Sequence, residues 1–254
     1  MSLKAAIIGG GNVASHFFQA LTIKVVSHVF VRKIDSQEHF PKELLREDRD
    51  LSNIYVDLVI IAVSDDQILN VLETYLFQAN QLIVHTAGAV NISVVLKKYR
   101  RCGVIYPLMT LSKSVKVAYQ RMPILVEGSD AEVEDLVFKF AKLISQEVSF
   151  MDSARRKVMH LAAVIASNFT TALMLDVEEI LDRQAADKRL LAPLMNQTIA
   201  KIFDGKVKNA LTGPAIRNDV KTMEMHMRLL DDFPDIQQRY VLFSNSIQKI
   251  SSEI

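Results

Sequence analysis

The chain has 254 residues, 50% of them hydrophobic, which is enough for one large domain or two modest ones with a sizeable core. Its net charge of +1 provides no basic field, so nucleic acid is not an expected partner. The single cysteine, Cys102, excludes an internal disulfide. We see neither a signal peptide nor an apolar stretch near the ~20 residues of a transmembrane helix. We therefore expect a cytoplasmic protein without membrane contact.

The first predicted strand, Lys4–Ile8, leads into the glycine-rich segment Gly9–Ala14 and then into a predicted helix at 13–21. In this setting the segment fits the Gly-x-Gly-x-x-Gly/Ala fingerprint of a dinucleotide-binding turn. The alternative is a glycine-rich connection without a ligand. The strand before it, the helix after it and a second strand on schedule favour the dinucleotide site.

Each position in this segment has a distinct predicted role. Gly9 permits the tight turn, Gly11 lets a pyrophosphate approach the backbone, and Ala14 allows the helix to pack closely on the strand. The backbone at Asn12 and Val13, at the positive end of the helix dipole, then faces the phosphates.

The end of the second predicted strand, Val25–Val31, bears on the choice of cofactor. A site for NAD usually places an acidic residue about 20 positions after the glycines, where it binds the ribose hydroxyls. Here Arg32 and Lys33 occupy this place and can pair with a 2′-phosphate, so NADP is favoured over NAD. Two alternatives stay open: both cations are ordinary solvated charges, or Asp35 turns back toward a ribose and the cofactor is NAD.

The first half of the sequence alternates strands with helices, as in a parallel sheet. A mixed-charge tract at 36–53 is typical of a short surface helix and loop. Further strands are predicted at 57–63, 81–85, 103–106, 122–126 and 147–150, with helices from about 67, at 91–101 and at 131–145.

Residues that follow these strands are candidates for cofactor contact, because ligands lie at the carboxyl ends of strands in such sheets. Val63 and Ser64 are expected over the adenosine half, and His85 and Thr86 near the nicotinamide. Alternatively, the aspartates after Ser64 only cap a helix, and His85 only orders its turn.

From Ser153 onward the periodicity is helical, which predicts a Rossmann domain at 1–151 and an all-helical domain at 152–254. A helix at about 154–181 is apolar around much of its circumference, so we expect it to be buried between domains or subunits. Shorter helices are predicted at 190–203, 220–230 and 235–250, the second of them capped by Asn218 or Asp219. Arg217 is a candidate ligand for a carboxylate or phosphate, and the alternative is a plain turn in which it pairs with Asp219.

A polar stripe on the long helix is the candidate substrate wall. At 100° per residue, one third of the turn holds Lys157, His160, Ser167, Asn168 and Thr171. Lys157 and His160 can converge, whereas Lys157 and Asn168 are ~16 Å apart along the axis. The alternative is a satisfied core histidine beside a solvated lysine.

Several segments together resemble a known group of proteins. The matching pieces are Gly9–Ala14, His85–Gly88, Tyr106–Thr110, Lys157–Ala163 with Ser167–Phe169, and Leu211–Ala215 with Arg217 and Asp219. They resemble bacterial Rossmann-like proteins with a C-terminal domain of unknown function, of the deazaflavin-dependent NADP oxidoreductase type. The domain order also resembles 6-phosphogluconate dehydrogenase, pyrroline-5-carboxylate reductase and ketopantoate reductase. The chain departs from the pattern at Asn218, where glycine is expected, and in a short link at 22–24.

The resemblance implies an NADP-dependent oxidoreductase that is dimeric through its helical domain. NADPH would pass a hydride to a small C=O or C=N compound, or a deazaflavin, held between the domains. Lys157 or His160 would supply the proton and Asn168 would orient the substrate. The alternative is a binding protein that senses NAD(P)(H) without turnover, because the sequence has no evident metal site or nucleophile constellation.

Overall fold

A computed structural model of the protein describes residues 3–112, 115–205 and 207–251. By its internal contacts the chain forms two compact units that divide between Asn168 and Phe169. The first unit holds the sheet and its helices, and the second is helical. This division lies inside the long helix, while the last strand ends at Phe150, so the boundary at 151/152 stays a prediction.

The described residues of the first unit form an eight-stranded sheet with the order β3-β2-β1-β4-β5-β6-β7-β8. The strands are β1 Ala5–Ile8, β2 Val26–Phe30, β3 Leu45–Arg46, β4 Leu58–Ile61, β5 Leu82–His85, β6 Cys102–Pro107, β7 Ile124–Gly128 and β8 Val148–Phe150. All neighbouring pairs are parallel except β6 and β7. This is the predicted Rossmann α/β architecture.

The chain order reverses between β1 and β4, which are hydrogen-bonded neighbours along Ala5–Ile8 and Leu58–Ile61. Such a reversal opens a crevice at the carboxyl ends of the strands, where doubly wound sheets bind ligands. The carboxyl ends of β1, β4, β5 and β6 lie along this edge, which we call the carboxyl edge.

Helices cover both faces of the sheet. They are α1 Asn12–Val25, α2 Ile68–Thr74, α3 Ser93–Leu96 and α4 Ala131–Ala141. One core cluster contains Phe17 of α1 and Phe140 of α4, and the other contains Leu72 of α2 and Val95 of α3. The central strands are buried on both faces, which explains why their sequences are apolar without alternation.

Three elements differ from the sequence prediction. The segment 36–53 contains the predicted short surface helix, a 3-10 turn at Lys42–Leu44, and also the unpredicted strand β3, whose Leu45 pairs with Val29 of β2. The helix predicted at 91–101 is only the short α3. Thr22 has a φ of 60°, outside the helical region, and breaks α1 near the predicted helix end.

The described residues of the second unit continue the long helix and form three further α-helices, with short 3-10 helices at Lys188–Leu191 and Val207–Ala210. The long helix comprises α5 Ser153–Ala163, a π-helical segment Val164–Phe169 and α6 Thr170–Asp182. The others are α7 Ala192–Asp204, α8 Val220–Leu229 and α9 Pro234–Ser251. Asp219 caps α8 by accepting a hydrogen bond from Thr222 N, as predicted. Asn218 has a positive φ of 53°, which glycine adopts most easily, and this explains why glycine is expected here. Asparagine is among the few other residues that tolerate this conformation.

The long helix is more exposed than predicted. Among the described residues, one helix is long and apolar enough to cross a membrane, Ser153–Asp182. Its most apolar stretch of 18 residues is 0% buried. The expectation that no apolar stretch approaches such a length is therefore wrong. Helices that pack between subunits pass the same test, so this feature alone assigns no membrane location.

Candidate functional site

The glycine-rich turn between β1 and α1 has the geometry that its sequence predicts. Gly9 has a φ of 130°, and its N–H donates to the carbonyl of Phe30 at 2.9 Å. A Cβ at Gly9 would collide with the backbone of Ala62, whereas a Cβ at Gly11 would meet no atom within 4 Å. Ala14 is fully buried in the core under the turn. The turn therefore brings α1 close to the strands and leaves the approach to Gly11 open.

The start of α1 is suited to an anion. Gly11 is its N-cap residue and has no side chain to bond the first N–H groups, and the first turn has no acidic residue. With the positive end of the helix dipole, these N–H groups form a phosphate-binding site. Asn12 and Val13, both predicted contacts, line the cleft that opens here.

This cleft has a volume of about 820 Å³, within the range of nucleotide and small-ligand pockets. The glycine turn and the ends of β2 and β4 line it, as do residues of α2. Val63 and Ser64, two residues predicted to contact a cofactor, lie on its wall, and their contact with a cofactor stays a prediction.

One end of the cleft is cationic. Arg32 and Lys33 line it, and so does Arg49, which the sequence analysis did not identify. The guanidinium of Arg49 lies 6.0 Å from the ring centroid of Tyr75, another wall residue. Burial raises the pKa of the Tyr75 hydroxyl, and the positive charge of Arg49 opposes this shift.

Asp35, which kept NAD as an alternative, is an exposed residue in a short helical turn at Ile34–Ser36 and is not among the residues that line the cleft. The carboxylate that holds this loop is Glu47, which accepts the N–H of Ile34 at 2.6 Å. The described cleft therefore offers cations, and not Asp35, beside the second strand.

His85 and Thr86 lie at the carboxyl edge but are buried. Nδ1 of His85 accepts the N–H of Ala87 at 3.2 Å, and Thr86 N–H donates to Ile61 O at 3.2 Å. Burial, with the charge of Arg156, lowers the pKa of His85 to about 3, so its imidazole is neutral. These contacts order the turn after β5, while the predicted approach to the nicotinamide stays a prediction.

A second group of polar residues meets further along the carboxyl edge. The hydroxyl of Tyr106, near the end of β6, is 2.9 Å from Nδ1 of His160 on α5. Burial is the main cause of a raised pKa at Tyr106, and the charge of Asp65 adds to it. Burial also raises the pKa of Asp65, and the positive charge of His160 opposes this shift. Sequence analysis selected His160 but neither Tyr106 nor Asp65.

The residues of the predicted polar stripe on the long helix do not share one environment: some contact the residues at or after the end of β6, and others are exposed. His160 contacts Tyr106, and Ser167 Oγ is 2.9 Å from Thr110 Oγ1 in the loop after β6. Lys157 and Asn168 are exposed. Their predicted catalytic roles are therefore not supported by a described contact with the carboxyl edge, and they stay predictions.

The π-helical segment Val164–Phe169 changes the direction of the side chains along the predicted stripe. A π-turn bonds i to i+5, so each residue turns the helix by less than the 100° of an α-helix. Side chains beyond this segment no longer follow the periodicity that begins at Lys157.

The chain was compared with known proteins. Residues 122–247 match the family model described as domain of unknown function (DUF2520). A presumed NADP oxidoreductase from Bacteroides fragilis has 31% identity and a TM-score of 0.86, with 98% of each chain covered. No curated protein matches the sequence.

More distant structures are similar in fold. A protein from Thermotoga maritima has 23% identity and a TM-score of 0.71, with 98% of each chain covered. An imine reductase from Myxococcus stipitatus in complex with NADP⁺ has 15% identity and a TM-score of 0.64, with 98% of this chain and 93% of that chain covered. At these identities the likeness shows the fold alone.

Proposed function

The chain belongs to the same family as the Bacteroides fragilis protein and carries a match to DUF2520 at residues 122–247, and on this basis we propose that it is an NADP(H)-dependent oxidoreductase. When bound, NADPH supplies the hydride. The acceptor we propose is a small C=O or C=N compound, with a deazaflavin as the most specific candidate.

The observation that carries this proposal is the cleft at the glycine turn. It combines an open approach to Gly11 with a side-chain-free helix start, which fits a pyrophosphate. Three cations, Arg32, Lys33 and Arg49, line its other end, where a ribose 2′-phosphate would lie. Such a phosphate distinguishes NADP from NAD, so the cleft favours NADP.

The proposed substrate lies at the carboxyl edge beside α5. His160 is our first candidate for a proton donor, because it is held against β6 by Tyr106. Lys157 as a second donor and Asn168 as an orienting group are the weaker part of the proposal, because both are exposed. General acid catalysis by a positioned side chain contributes about 10² to 10⁴ in rate.

The test is turnover with NADPH on a panel of small keto acids, aldehydes, cyclic imines and an oxidised deazaflavin. We expect loss of nicotinamide absorbance with at least one acceptor. His160→Ala should reduce this rate by about 10²-fold or more. Arg155→Ala, which changes an exposed neighbour on α5, should not. Full activity in a variant lacking both Lys157 and His160 side chains would exclude them as proton donors.

The second candidate is a sensor that binds NADP(H) without turnover. The exposure of Lys157 and Asn168 favours it, because the described structure leaves both side chains open to solvent. Tight binding of NADPH with no change in absorbance on any acceptor would select the sensor.

A further inference from the structure

Tyr106 and His160 form a hydrogen-bonded pair at the carboxyl edge of the sheet. We propose that the proton of His160 reaches the substrate through Tyr106, so that Tyr106 is the group that donates to the substrate and His160 is the positioning residue that restores the Tyr106 proton. This inference rests on the proposed function and adds a residue that neither the family match nor the sequence motif assigns.

The sheet places Tyr106 where a substrate would meet a bound nicotinamide. β6 is parallel to β5 and lies two strands, or about 10 Å, from β4, whose following residues Val63 and Ser64 line the cofactor cleft. A dinucleotide whose phosphates lie over β1 extends its other half in this direction along the edge. Tyr106 is half-buried, so its ring is held by the protein while part of it stays exposed.

Gly88, in the turn after β5, packs closely against both rings of the Tyr106–His160 pair. A Cβ at Gly88 would come within 2.6 Å of His160 Nδ1 and 2.8 Å of Tyr106 Cζ. The two rings meet edge to face, with centroids 5.8 Å apart. Three separate elements therefore converge on one hydroxyl, which is the preorganisation expected for a catalytic group.

The charges around the pair suit a proton donor. Burial raises the pKa of Tyr106, so its hydroxyl keeps its proton at neutral pH. Burial raises the pKa of Asp65, after β4, and the charge of His160 opposes this shift. Arg156, which lies one helical turn before His160, is fully buried and paired with Glu127.

When His160 is protonated, its Nδ1–H donates to the Tyr106 oxygen, and the Tyr106 hydroxyl is free to donate to a ligand. As the substrate carbon accepts the hydride, the π-electron pair of its C=O or C=N bond moves to the heteroatom. The heteroatom then takes the Tyr106 proton, and the Tyr106 oxygen takes the Nδ1 proton of His160. His160 is then neutral and keeps its proton on Nε2. Solvent returns a proton to Nδ1 of His160, and the net result is addition of H⁻ and H⁺ across the double bond.

Tyr106→Phe tests this proposal because it removes one oxygen and keeps the ring. On the acceptor that the wild type reduces, the hydride-transfer rate should fall by about 10² to 10⁴, while the Kd for NADPH stays within about twofold. Tyr99→Phe is the matched control. Tyr99 is also half-buried, but it precedes β6, at the opposite edge of the sheet, and packs on Phe77. This variant should keep the wild-type rate.

His160→Ala tests the positioning role. We expect a lower kcat at nearly unchanged KM for NADPH, and partial recovery of the rate when imidazole is added to fill the site. Imidazole should not rescue Tyr106→Phe. A merely structural histidine would not show this difference between the two variants.

The outcomes separate this proposal from the one on which it rests. A wild type that reduces an acceptor, with Tyr106→Phe retaining more than half of the rate, overturns the role of Tyr106 and leaves the oxidoreductase intact. A wild type that binds NADPH but reduces no acceptor overturns both. Loss of rate in Tyr106→Phe with NADPH binding preserved supports the proposal.

Discussion

The position of Arg49 beside the cleft depends on the pairing of strands and not on the sequence next to it. The pairing of β3 with β2 and the hydrogen bond from Leu76 N–H to Arg49 O at 2.8 Å hold its backbone beside the cleft. Its guanidinium then joins Arg32 and Lys33 at the end where a 2′-phosphate would lie. A phosphate paired with a guanidinium gains a bidentate, charge-assisted contact that a ribose hydroxyl lacks.

Arg32→Ala and Arg49→Ala should each weaken NADPH binding about tenfold and change NADH binding less than twofold. Tenfold corresponds to about 1.4 kcal/mol, a moderate value for a charge-assisted contact at a solvent-exposed site. Cofactor titrations followed by nicotinamide fluorescence measure both effects. Lys42→Ala, which removes a nearby exposed cation outside the cleft, is the control. Equal losses for NADPH and NADH would contradict recognition of the 2′-phosphate.

The sequence predicts those site residues whose position follows from their neighbours. Gly9 and Arg32 are of this kind, because a turn and a strand end are local features. Arg49 and Tyr106 are not. The contact of Tyr106 with His160 joins residues 54 positions apart and depends on how α5 packs on the sheet. Arg49 has no local pattern that distinguishes it from an ordinary surface cation, and the matching segment Tyr106–Thr110 assigns no role to Tyr106.

At the scale of elements, α5 is attached to the sheet by a buried arginine. Arg156 is fully buried, forms an ion pair with Glu127 of β7 and donates to Val90 O at 2.6 Å. Ser153 Oγ adds a hydrogen bond to Glu127 at 2.7 Å. These contacts lie one turn before His160, so they fix the start of the helix that presents it.

Arg156→Met should lower the free energy of unfolding by about 3 kcal/mol, because it leaves the Glu127 carboxylate poorly solvated without its partner. Urea denaturation at one fixed protein concentration measures the loss. Arg155→Met, on the exposed side of the same turn, should change the value by less than about 0.5 kcal/mol.

The double variant Arg156→Met with Glu127→Met separates pairing from packing. Its loss should be smaller than that of Arg156→Met alone, because no unpaired charge remains. An equal or larger loss would mean that the arginine acts through packing and its bonds to Val90 and Ser153.

The elements that sequence predicts well are those with a continuous apolar pattern. β4 and β5 lie within their predicted ranges because they are buried on both faces. β3 has only two residues, Leu45 and Arg46, and therefore no pattern to detect. The π-helical segment was also missed, because a predicted stripe assumes a constant 100° per residue.

On the scale of the whole molecule, the long helix has an apolar surface that the described part of the chain leaves exposed. Leu161 and Leu175 are 58% and 61% exposed, and the most apolar window of this helix is 0% buried. We propose that a second copy of the chain covers it, as in the predicted homodimer. The net charge of +1 causes little repulsion between copies, and two-fold dimers are the commonest oligomers.

We expect the wild type to have twice the mass of one chain by size-exclusion chromatography with light scattering. Leu175→Glu should weaken the dimer at least tenfold, because it would bury an unpaired carboxylate. Tyr55→Glu, which changes an exposed apolar residue in the loop before β4, should not. A wild type that is monomeric at every concentration would contradict the dimer.

The π-helical segment Val164–Phe169 has a consequence for comparing this protein with its relatives. A π-turn accommodates one residue more than an α-turn, so a homologue with one residue fewer here keeps both flanking helices. Residue-by-residue alignment through this stretch then pairs side chains on different faces of the helix. Homologues are better aligned separately before and after the segment, with His160 anchoring the first block and α6 the second.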